Sequence, residues 1–386
     1  MIKILLFYMG YIPSQRCGGP VTSMYHFVEM FGDEYDIKVV CKNHDFLVKD
    51  KYEGIKEGWN KIGKAKVLYL SDDDFNKRKF RNIIDKAKPD LIYTSSIFLA
   101  NLTIPLLLIS QEKNIPILLA PRGELSSDRI ARKAWKKVPY LFFLRLTGIL
   151  RHTKLQATSE TEYNDIKKIL KPNKRNVYLV ENIPCSVMKK EDTEKTRGQL
   201  TIVATSRIQY KNNLIYSINI VNKMKSKVAF DIYGPIEDAG YWNLCKREMR
   251  KAPGNVKYAY KGNLPLQEIE KVYLKYDCLL HPTHSENYGH VIVEAFCHDC
   301  PVVISKGTTP WDSIEKYNAG FVCELGDDQA FVKRLEYIAT MDSEEYKKMV
   351  MGTREYAKQL NMEGLKRDYE TMIEKAIGSR KLKATS

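Results

Sequence analysis

Short apolar runs alternate with longer segments of mixed polarity along most of this chain. Apolar runs that stop at Gly, Pro, Asn or Asp are typical of buried strands, and the segments between them have the spacing of amphipathic helices. Regular alternation of strands and helices predicts a mostly parallel sheet with helices on both faces. In the first half, the predicted strands are Ile2–Phe7, Ile37–Val40, Val67–Leu70, Leu91–Tyr93, Ile117–Leu119, Leu155–Ala157 and Val177–Val180.

One polar stretch, Lys189–Gly198, interrupts the alternation and indicates a linker. The apolar run Leu200–Ala204 then begins a second series of strands and helices, which includes Val228–Tyr233 and Cys278–His281. A chain of 386 residues is too long for one ordinary core. We therefore predict a first domain over residues 1–183, a linker over 184–198, a second domain over 199–362, and a last helix with a basic tail over 363–386.

The chain carries a formal net charge of +15, from 62 Lys and Arg against 47 Asp and Glu. Much of the excess lies between Arg129 and Arg175, where thirteen basic residues stand against three acidic ones. Within residues 131–154, cationic and aromatic side chains interleave, which suits contact with an anionic membrane surface. A nucleic-acid partner is disfavoured because no recognised nucleic-acid module accompanies this segment, and a solvated helix face is the remaining alternative.

Composition also bears on location and on metals. The apolar run at the N-terminus is too short for a signal peptide, and no segment is long enough to span a bilayer. The eight cysteines are scattered, which suits a reducing compartment. We expect a cytoplasmic protein, located at the inner face of the membrane if the basic segment binds lipid. Cys297 and Cys300 form a lone close pair, which is weak evidence for zinc, and no metal is expected.

The segment Leu279–Ile304 carries the first candidate chemistry. It begins in an apolar strand and continues, after a loop, into a helix predicted over Val291–Cys297. Asn287, Tyr288 and Gly289 would present backbone N–H groups at the N-terminus of that helix. Partial positive charge accumulates there and favours phosphate without any basic side chain.

Two carboxylates flank this helix start. Glu286 lies in the loop, and Glu294 lies one to two turns into the helix, so the two side chains point at different parts of one ligand. Carboxylates accept charge-assisted hydrogen bonds from hydroxyls. The segment therefore predicts a site for a sugar joined to a nucleoside through a diphosphate.

Two cations follow the strand Leu200–Ala204. Arg207 and Lys211 lie in the loop between this strand and the next helix, where they would offset the charge of a diphosphate and the charge that grows on it as a leaving group.

Loops of the first half hold further candidates. Gly18 and Gly19 follow the first strand and allow a ligand to approach the backbone closely. Arg122 follows another strand, between Pro121 and Gly123, where it is placed to meet an anion or a sugar hydroxyl, and His44 is able to join it. The dinucleotide fingerprint G-x-G-x-x-G does not follow the first strand, which disfavours an NAD-dependent oxidoreductase with paired Rossmann units.

These residues lead to a family resemblance. The string Ser-Glu-Asn-Tyr-Gly-His-Val-Ile-Val-Glu-Ala-Phe, followed by Cys-Pro-Val-Val-Ile-Ser and by Thr-Pro-Trp at Thr309–Trp311, resembles the Glu-x7-Glu motif of retaining nucleotide-sugar glycosyltransferases of the group 1, or family 4, type. The resemblance implies an α/β fold of GT-B architecture, with two Rossmann-like doubly wound domains facing across a cleft. It also implies transfer with retention of anomeric configuration and without an obligatory metal.

The resemblance assigns roles to the candidates. Glu286 would orient the sugar and Glu294 would hold the ribose, while Arg207 and Lys211 would act on the diphosphate. The family's lysine usually lies one position later, where this chain has Asn212. The implied donor-binding residues are Gly18, Gly19, Gly234, Gly262, Asn287, Tyr288, Gly289, His290 and Glu294, and the implied acceptor-side residues are Arg122 and His44.

We therefore expect an enzyme that moves a sugar from a nucleotide-diphosphate donor, such as a UDP-sugar, to a hydroxyl of a glycan. A lipid-linked glycan acceptor, as in the assembly of bacterial surface polysaccharide, fits the basic aromatic segment. The alternative from another class is a non-catalytic protein that binds a nucleotide-sugar or a nucleic acid.

Overall fold

The computed structural model describes residues 1–185, 187–191, 194–286 and 288–378, and it divides the chain into two compact units. Unit 1 comprises Met1–Ile183 together with the residues from Met362 onward, and unit 2 comprises Pro184–Asn361. Each unit is built on its own sheet, with helices between most successive strands. The predicted α/β class is confirmed, and every strand predicted above is present.

Unit 1 contains an eight-stranded sheet in the order β3-β4-β2-β1-β5-β6-β7-β8. All neighbours are parallel except β3 and β4, which form an antiparallel pair at one edge. The strands are β1 (Lys3–Phe7), β2 (Asp36–Lys42), β3 (Trp59–Ile62), β4 (Ala65–Leu70), β5 (Leu91–Ser95), β6 (Ile117–Ala120), β7 (Lys154–Ala157) and β8 (Val177–Leu179). The helices that follow in the same part of the chain are α1 (Gly19–Phe31), α2 (Lys77–Ala87), α3 (Ala100–Lys113), α4 (Ser127–Ala131), α5 (Ala134–Leu146) and α6 (Glu160–Leu170).

Unit 2 contains a six-stranded, all-parallel sheet in the order β11-β10-β9-β12-β13-β14. The strands are β9 (Gln199–Thr205), β10 (Lys227–Tyr233), β11 (Val256–Tyr260), β12 (Cys278–His281), β13 (Val302–Ser305) and β14 (Gly320–Cys323). The helices are α7 (Leu214–Val221), α8 (Ala239–Met249), α9 (Leu266–Tyr273), α10 (His290–Cys297), α11 (Asp328–Thr340) and α12 (Ser343–Lys358).

The strand order places a switch point in the unit 2 sheet. The chain builds outward from β9 through β10 to β11, and then returns to the other side of β9 with β12. The loops after β9 and β12 therefore diverge at the carboxyl edge of the sheet, which is where ligands bind in open α/β sheets. These two loops carry Arg207 and Glu286.

The last helix, α13 (Met362–Ile377), belongs to unit 1 although it follows unit 2 in the chain. Its Tyr369 is buried and packs against Phe27 and Phe31 of α1. The Tyr369 hydroxyl donates a hydrogen bond to the Glu181 carbonyl at 3.0 Å and accepts one from Gln156 Nε2 at 2.9 Å. Because a buried hydroxyl with both bonds made is costly to expose, Tyr369 fixes α13 in unit 1.

Helix α5 differs from the other helices in what it leaves exposed. Only Leu141 and Leu144 of this helix are buried. The large apolar side chains that it exposes are Trp135, Val138, Phe142, Phe143 and Leu146. Among the described residues, no helix combines the length and the apolar character needed to cross a membrane.

Candidate active site

The loop after β9 holds Arg207 against a carboxylate. Arg207 Nη1 lies 2.9 Å from Glu237 Oε1, in the loop after β10, and its side chain is partly exposed. Asn212 Nδ2 donates a hydrogen bond to the Arg207 carbonyl at 2.7 Å, so the main chain of the loop is also fixed. The guanidinium therefore lies at the carboxyl edge of the unit 2 sheet, and its Nη1 group is already paired with Glu237.

Two glycines let neighbouring loops approach each other at this edge. Gly234 follows β10 with φ +135°, and a Cβ added there would lie 2.1 Å from the carbonyl oxygen of Ser206. Its N–H donates to the carbonyl of Gly262, the residue that follows β11 by two positions, at 2.8 Å. The loops after three adjacent strands are thus bonded in a row. Only glycine fits at 234, since any side chain would collide with the backbone beside Arg207.

Lys211 and Glu286 form an ion pair between the loops after β9 and β12. Lys211 Nζ lies 3.6 Å from Glu286 Oε2, and both side chains are about one quarter exposed. The backbone supports this pairing, because His284 N donates to the Lys211 carbonyl at 3.1 Å and Glu286 N donates to the Thr308 carbonyl at 2.7 Å. Lys211 therefore reaches the Glu286 carboxylate from the neighbouring loop.

Helix α10 begins directly after this pair. Gly289 is its N-cap, with φ 75° in the left-handed region, and His290 is its first residue. The carbonyl of Tyr288 accepts a hydrogen bond from Trp311 Nε1, and the edge of the Tyr288 ring meets the His290 ring. Asn287 lies outside the described residues. A helix start that carries no acidic side chain in its first turn is suited to bind an anion from solution.

Glu294 is the buried member of the motif. It lies on α10 with 3% of its surface exposed. Burial raises the pKa of its carboxyl to about 7, and a hydrogen bond from the Tyr273 side chain acts in the opposite direction. Tyr273 is in turn hydrogen-bonded to Thr205, the last residue of β9. Near neutral pH, Glu294 therefore exchanges between a neutral and a charged form.

These features place two cations, two carboxylates and one helix N-terminus at the carboxyl ends of β9 and β12. Backbone hydrogen bonds between the two loops bring these residues together although they lie far apart in the sequence. Positive groups and aligned N–H groups stabilise a diphosphate, while carboxylates hold hydroxyls. All of these residues lie in unit 2.

In unit 1, the glycine loop is organised by Asp45. Gly18, with φ 72°, is the N-cap of α1, and Gly19 is the first helical residue. The Asp45 carboxylate accepts hydrogen bonds from Ser14 Oγ at 2.8 Å and from the backbone N–H groups of Gln15 and Arg16 at 2.8 and 3.1 Å. The loop before α1 is therefore fixed by a carboxylate from the loop after β2, and contact of Gly18 and Gly19 with a ligand stays a prediction.

Arg122 lies in the same unit and is bound to protein groups. Its Nη2 donates to the Tyr93 hydroxyl at 2.8 Å, and its Nη1 donates to Asn182 Oδ1. Asn182 Oδ1 also accepts a hydrogen bond from Ser23 Oγ of α1 at 3.1 Å. Arg122 therefore links the end of β6 to α1, and its contact with an acceptor stays a prediction.

His44 follows β2 and is largely occupied by neighbours. Its Nε2 lies 3.1 Å from Asp72 Oδ1, and its Nδ1 lies 2.9 Å from the Asp45 carbonyl. An imidazole held between two oxygen groups is fixed in orientation, and its role on the acceptor side also stays a prediction.

Sequence reasoning missed the residues that support the candidates. Asp45, Asn182, Glu237 and Tyr273 are single polar residues whose partners lie far along the chain, so no local pattern marks them. The one available signal was position, since Asp45 and Glu237 both lie in loops that follow predicted strands.

Comparison with solved structures gives the same fold over nearly the whole chain. Sucrose-phosphate synthase from Thermosynechococcus elongatus superposes with a TM-score of 0.72 and 13% identity, covering 100% of both chains. HepE (Alr3699) of Anabaena in complex with UDP and glucose gives 0.68 and 15% identity, covering 96% of this chain and 99% of that one. WaaG, described as a glycosyltransferase involved in lipopolysaccharide biosynthesis, gives 0.65 and 12%, covering 96% and 98%.

Sequence comparison finds one family model that matches part of the chain. Among curated proteins, no significant match is found. The family model described as glycosyl transferases group 1 matches residues 188–358, which lie within unit 2 and include the Arg207, Lys211, Glu286 and Glu294 positions. Over this segment unit 2 is therefore similar to the glycosyl transferases group 1 family, and the chain has the α/β fold of GT-B glycosyltransferases.

Proposed function

We propose that this protein transfers a sugar from a UDP-sugar to a hydroxyl of a glycan acceptor, with retention of anomeric configuration and without an obligatory metal. The observation that carries the proposal is the Lys211–Glu286 ion pair directly before the N-terminus of α10, with Arg207 in the same loop as Lys211, within the part of the chain that matches the family model. Charge of this kind, fixed before the ligand arrives, is what a departing diphosphate requires.

In the proposed reaction, Glu286 orients the sugar while Arg207, Lys211 and the N–H groups at the start of α10 bind the diphosphate. The bond from the anomeric carbon to the phosphate oxygen breaks as the bond to the acceptor oxygen forms on the same face. The acceptor proton passes to the departing phosphate. No covalent intermediate with the protein is formed, and the protein lowers the barrier by positioning and by stabilising charge.

The nucleoside part of the donor is bound by Glu294 and by the loop that contains Gly262. Glu294 accepts hydrogen bonds from the ribose hydroxyls in its carboxylate form, which suits its place behind the start of α10. The backbone near Gly262 contacts the base. UDP is favoured as the nucleotide because the structurally similar HepE was solved in complex with UDP and glucose.

The acceptor side is assigned to unit 1, with Gly18, Gly19, Arg122 and His44 as the residues to test. A lipid-linked glycan is the acceptor that suits the exposed apolar side chains of α5 and the cations around them within residues 131–154. The protein would then work as a peripheral protein at the inner face of the membrane, in the assembly of a surface polysaccharide. The similar structure WaaG is described as acting in lipopolysaccharide biosynthesis, which agrees with such a role.

The test is the release of UDP from a panel of UDP-sugars by the parent protein and by Glu286→Ala and Arg207→Ala. Loss of one fixed charge at such a site costs about 3 kcal/mol, so each variant should be slower by about a hundredfold or more. The matched control is Glu355→Ala, which removes an exposed carboxylate on α12 that pairs with Lys358. The control should keep the parent rate.

Two outcomes would contradict the proposal. Parent-like rates in Glu286→Ala and Arg207→Ala would remove these residues from the site. Tight UDP-sugar binding by the parent with no turnover against any glycan acceptor would instead assign the chain to the non-catalytic binding proteins.

A further inference from the structure

A basic cavity in unit 1 lies outside the residues discussed so far. It has a volume of about 470 Å³ and is lined by the end of α5, the loop before β7 and the segment after α6. Arg145, Arg151, His152 and Lys171 contribute to its wall. Among the described residues that line it, none is acidic, so an anion inside it would meet no repelling carboxylate.

The wall of this cavity is built by the backbone. Gly148 and Lys171 both adopt the left-handed region, with φ 64° and 48°, and so end α5 and α6 abruptly at the cavity. Asn176 Nδ2 donates to the Arg151 carbonyl at 3.1 Å, and Asn176 Oδ1 accepts a hydrogen bond from Lys154 Nζ at 2.8 Å. These bonds fix the loop that carries Arg151 before any ligand binds.

The cavity lies at the C-terminal end of the helix that exposes the most apolar surface. Leu144 and Arg145 of α5 line the cavity. On the same helix, Trp135, Phe142 and Leu146 are 75%, 62% and 75% exposed. An apolar helix face next to a pocket of cations matches the two layers of an anionic membrane surface, the acyl boundary and the phosphate groups.

A simpler account explains part of the charge. Cations stabilise the C-terminal ends of helices; Arg145 lies in the last turn of α5, and Lys171 is the C-cap of α6. This account leaves out Arg151 and His152, which lie in a loop, and it gives no reason for the exposed aromatic and aliphatic side chains. The two observations are explained together only by a partner that is both anionic and apolar.

We propose that this cavity binds the phosphate group of an anionic phospholipid while α5 lies in the headgroup layer. The inference rests on the proposed membrane association and adds to it a specific site in unit 1. Arg145, Arg151 and Lys171 donate to the phosphate oxygens, and Phe142 and Leu146 enter the acyl boundary beside it.

The experiment measures partition of the protein onto vesicles of phosphatidylcholine containing one third phosphatidylglycerol, at low salt, with pure phosphatidylcholine vesicles as reference. Each cation near an anionic surface contributes about a fivefold factor in binding. The double variant Arg151→Gln with Lys171→Gln should therefore bind about 25-fold more weakly to the anionic vesicles. The apolar variant Phe142→Ser with Leu146→Ser should lose binding as well, and the exposure of both side chains leaves the fold intact.

The charge-matched control is Lys61→Gln with Lys66→Gln. These lysines face each other on β3 and β4, at the opposite edge of the unit 1 sheet from β7 and β8. This control should change vesicle binding by less than about threefold, because cations distant from the contact surface are screened. Thermal unfolding of all variants shows whether they are folded.

Three results would overturn the proposal. The parent protein does not bind the anionic vesicles, or the control loses as much binding as the cavity variant, or inorganic phosphate occupies the cavity in a thermal-shift assay while vesicles do not bind. UDP binding is measured in parallel for every variant. Because the cavity lies outside unit 2, UDP affinity should be unchanged, so failure of the lipid site and failure of the donor site are separated.

Discussion

At the scale of single residues, both cations of the candidate site are already paired. Arg207 lies 2.9 Å from Glu237, and Lys211 lies 3.6 Å from Glu286. Ion pairs that are partly exposed contribute about 0–1 kcal/mol, so a diphosphate is able to displace either carboxylate at small cost. The pairs hold the cations in position. In the mechanism proposed above, Glu286 would become available to the sugar when Lys211 turns to the phosphate.

Donor binding should depend on pH through Glu294. Its pKa is raised to about 7 by burial, so below that pH the carboxyl is mostly protonated and accepts hydrogen bonds from ribose poorly. Raising the pH from 6 to 8 increases the charged fraction by roughly tenfold, and UDP affinity should increase by about the same factor. Isothermal titration of UDP at several pH values measures this.

The variant Glu294→Gln serves as the control for that titration. Glutamine has a similar shape and does not titrate, so the pH dependence between 6 and 8 should largely disappear. An equally steep increase in the variant would assign the titration to another group, such as the phosphates of UDP.

The sequence located some of these residues and not others, for a physical reason. Arg207 and Glu286 each follow an apolar strand, and parallel strands end at the same edge of a sheet, so their location at one sheet edge was predictable. Glu237 and Tyr273 act through partners that only the folded chain brings near. For Arg122, the sequence predicted the position at the end of a strand. It did not predict the hydrogen bonds that Arg122 donates to Tyr93 and Asn182.

At the scale of elements, the spacing of the loops after β9 and β10 depends on one glycine. Gly234→Ala would place a Cβ 2.1 Å from the Ser206 carbonyl oxygen at φ +135°. The loop before Arg207 would have to move, so we expect a loss of about 1–3 kcal/mol in the free energy of unfolding and weaker UDP binding. Urea denaturation and UDP titration measure the two effects.

Gly254→Ala is the comparison for this substitution. Gly254 lies in the loop before β11, and among the described residues no atom lies within 4 Å of an added Cβ. Its φ is not in the positive range, so the variant should be as stable as the parent. If both variants behave alike, the close contact at Gly234 is not what separates the loops.

A second prediction at this scale concerns the Tyr369 hydroxyl, which attaches α13 to unit 1. Tyr369→Phe removes the hydroxyl that bonds the Glu181 carbonyl and Gln156 Nε2, both of them in unit 1. An unsatisfied buried polar group costs about 1–3 kcal/mol, so the free energy of unfolding of unit 1, measured by urea denaturation, should decrease by that amount. The matched control is Tyr337→Phe on α11, where the ring is half exposed. An unchanged unfolding curve for Tyr369→Phe would show that its hydroxyl does not hold the helix.

The edge strand of the unit 1 sheet is among the elements that sequence analysis did not predict. The short strand β3 (Trp59–Ile62) has no buried residue and pairs with β4 in antiparallel fashion. Its pattern carries no apolar run, because an edge strand that faces solvent needs none. The buried strands were predictable because parallel sheets covered on both faces require continuous apolar runs.

At the scale of the whole molecule, the alternation of strands and helices was sufficient to predict two α/β units, and the fold comparisons agree with it. Composition alone could not predict which of the surface cations lie next to one another in the folded chain. The excess of positive charge between Arg129 and Arg175 is distributed over α5, α6 and the cavity at their ends, and only the structure shows which cations share a wall.

The return of α13 to unit 1 affects how the chain acquires its structure during synthesis. Unit 2 is one continuous segment, Pro184–Asn361, so all of its strands and helices are available once that segment has left the ribosome. Unit 1 leaves the ribosome first but lacks the helix that carries Tyr369 until unit 2 has been translated. Until α13 has been synthesised, the apolar surface around Phe27 and Phe31 therefore lacks its contact with Tyr369.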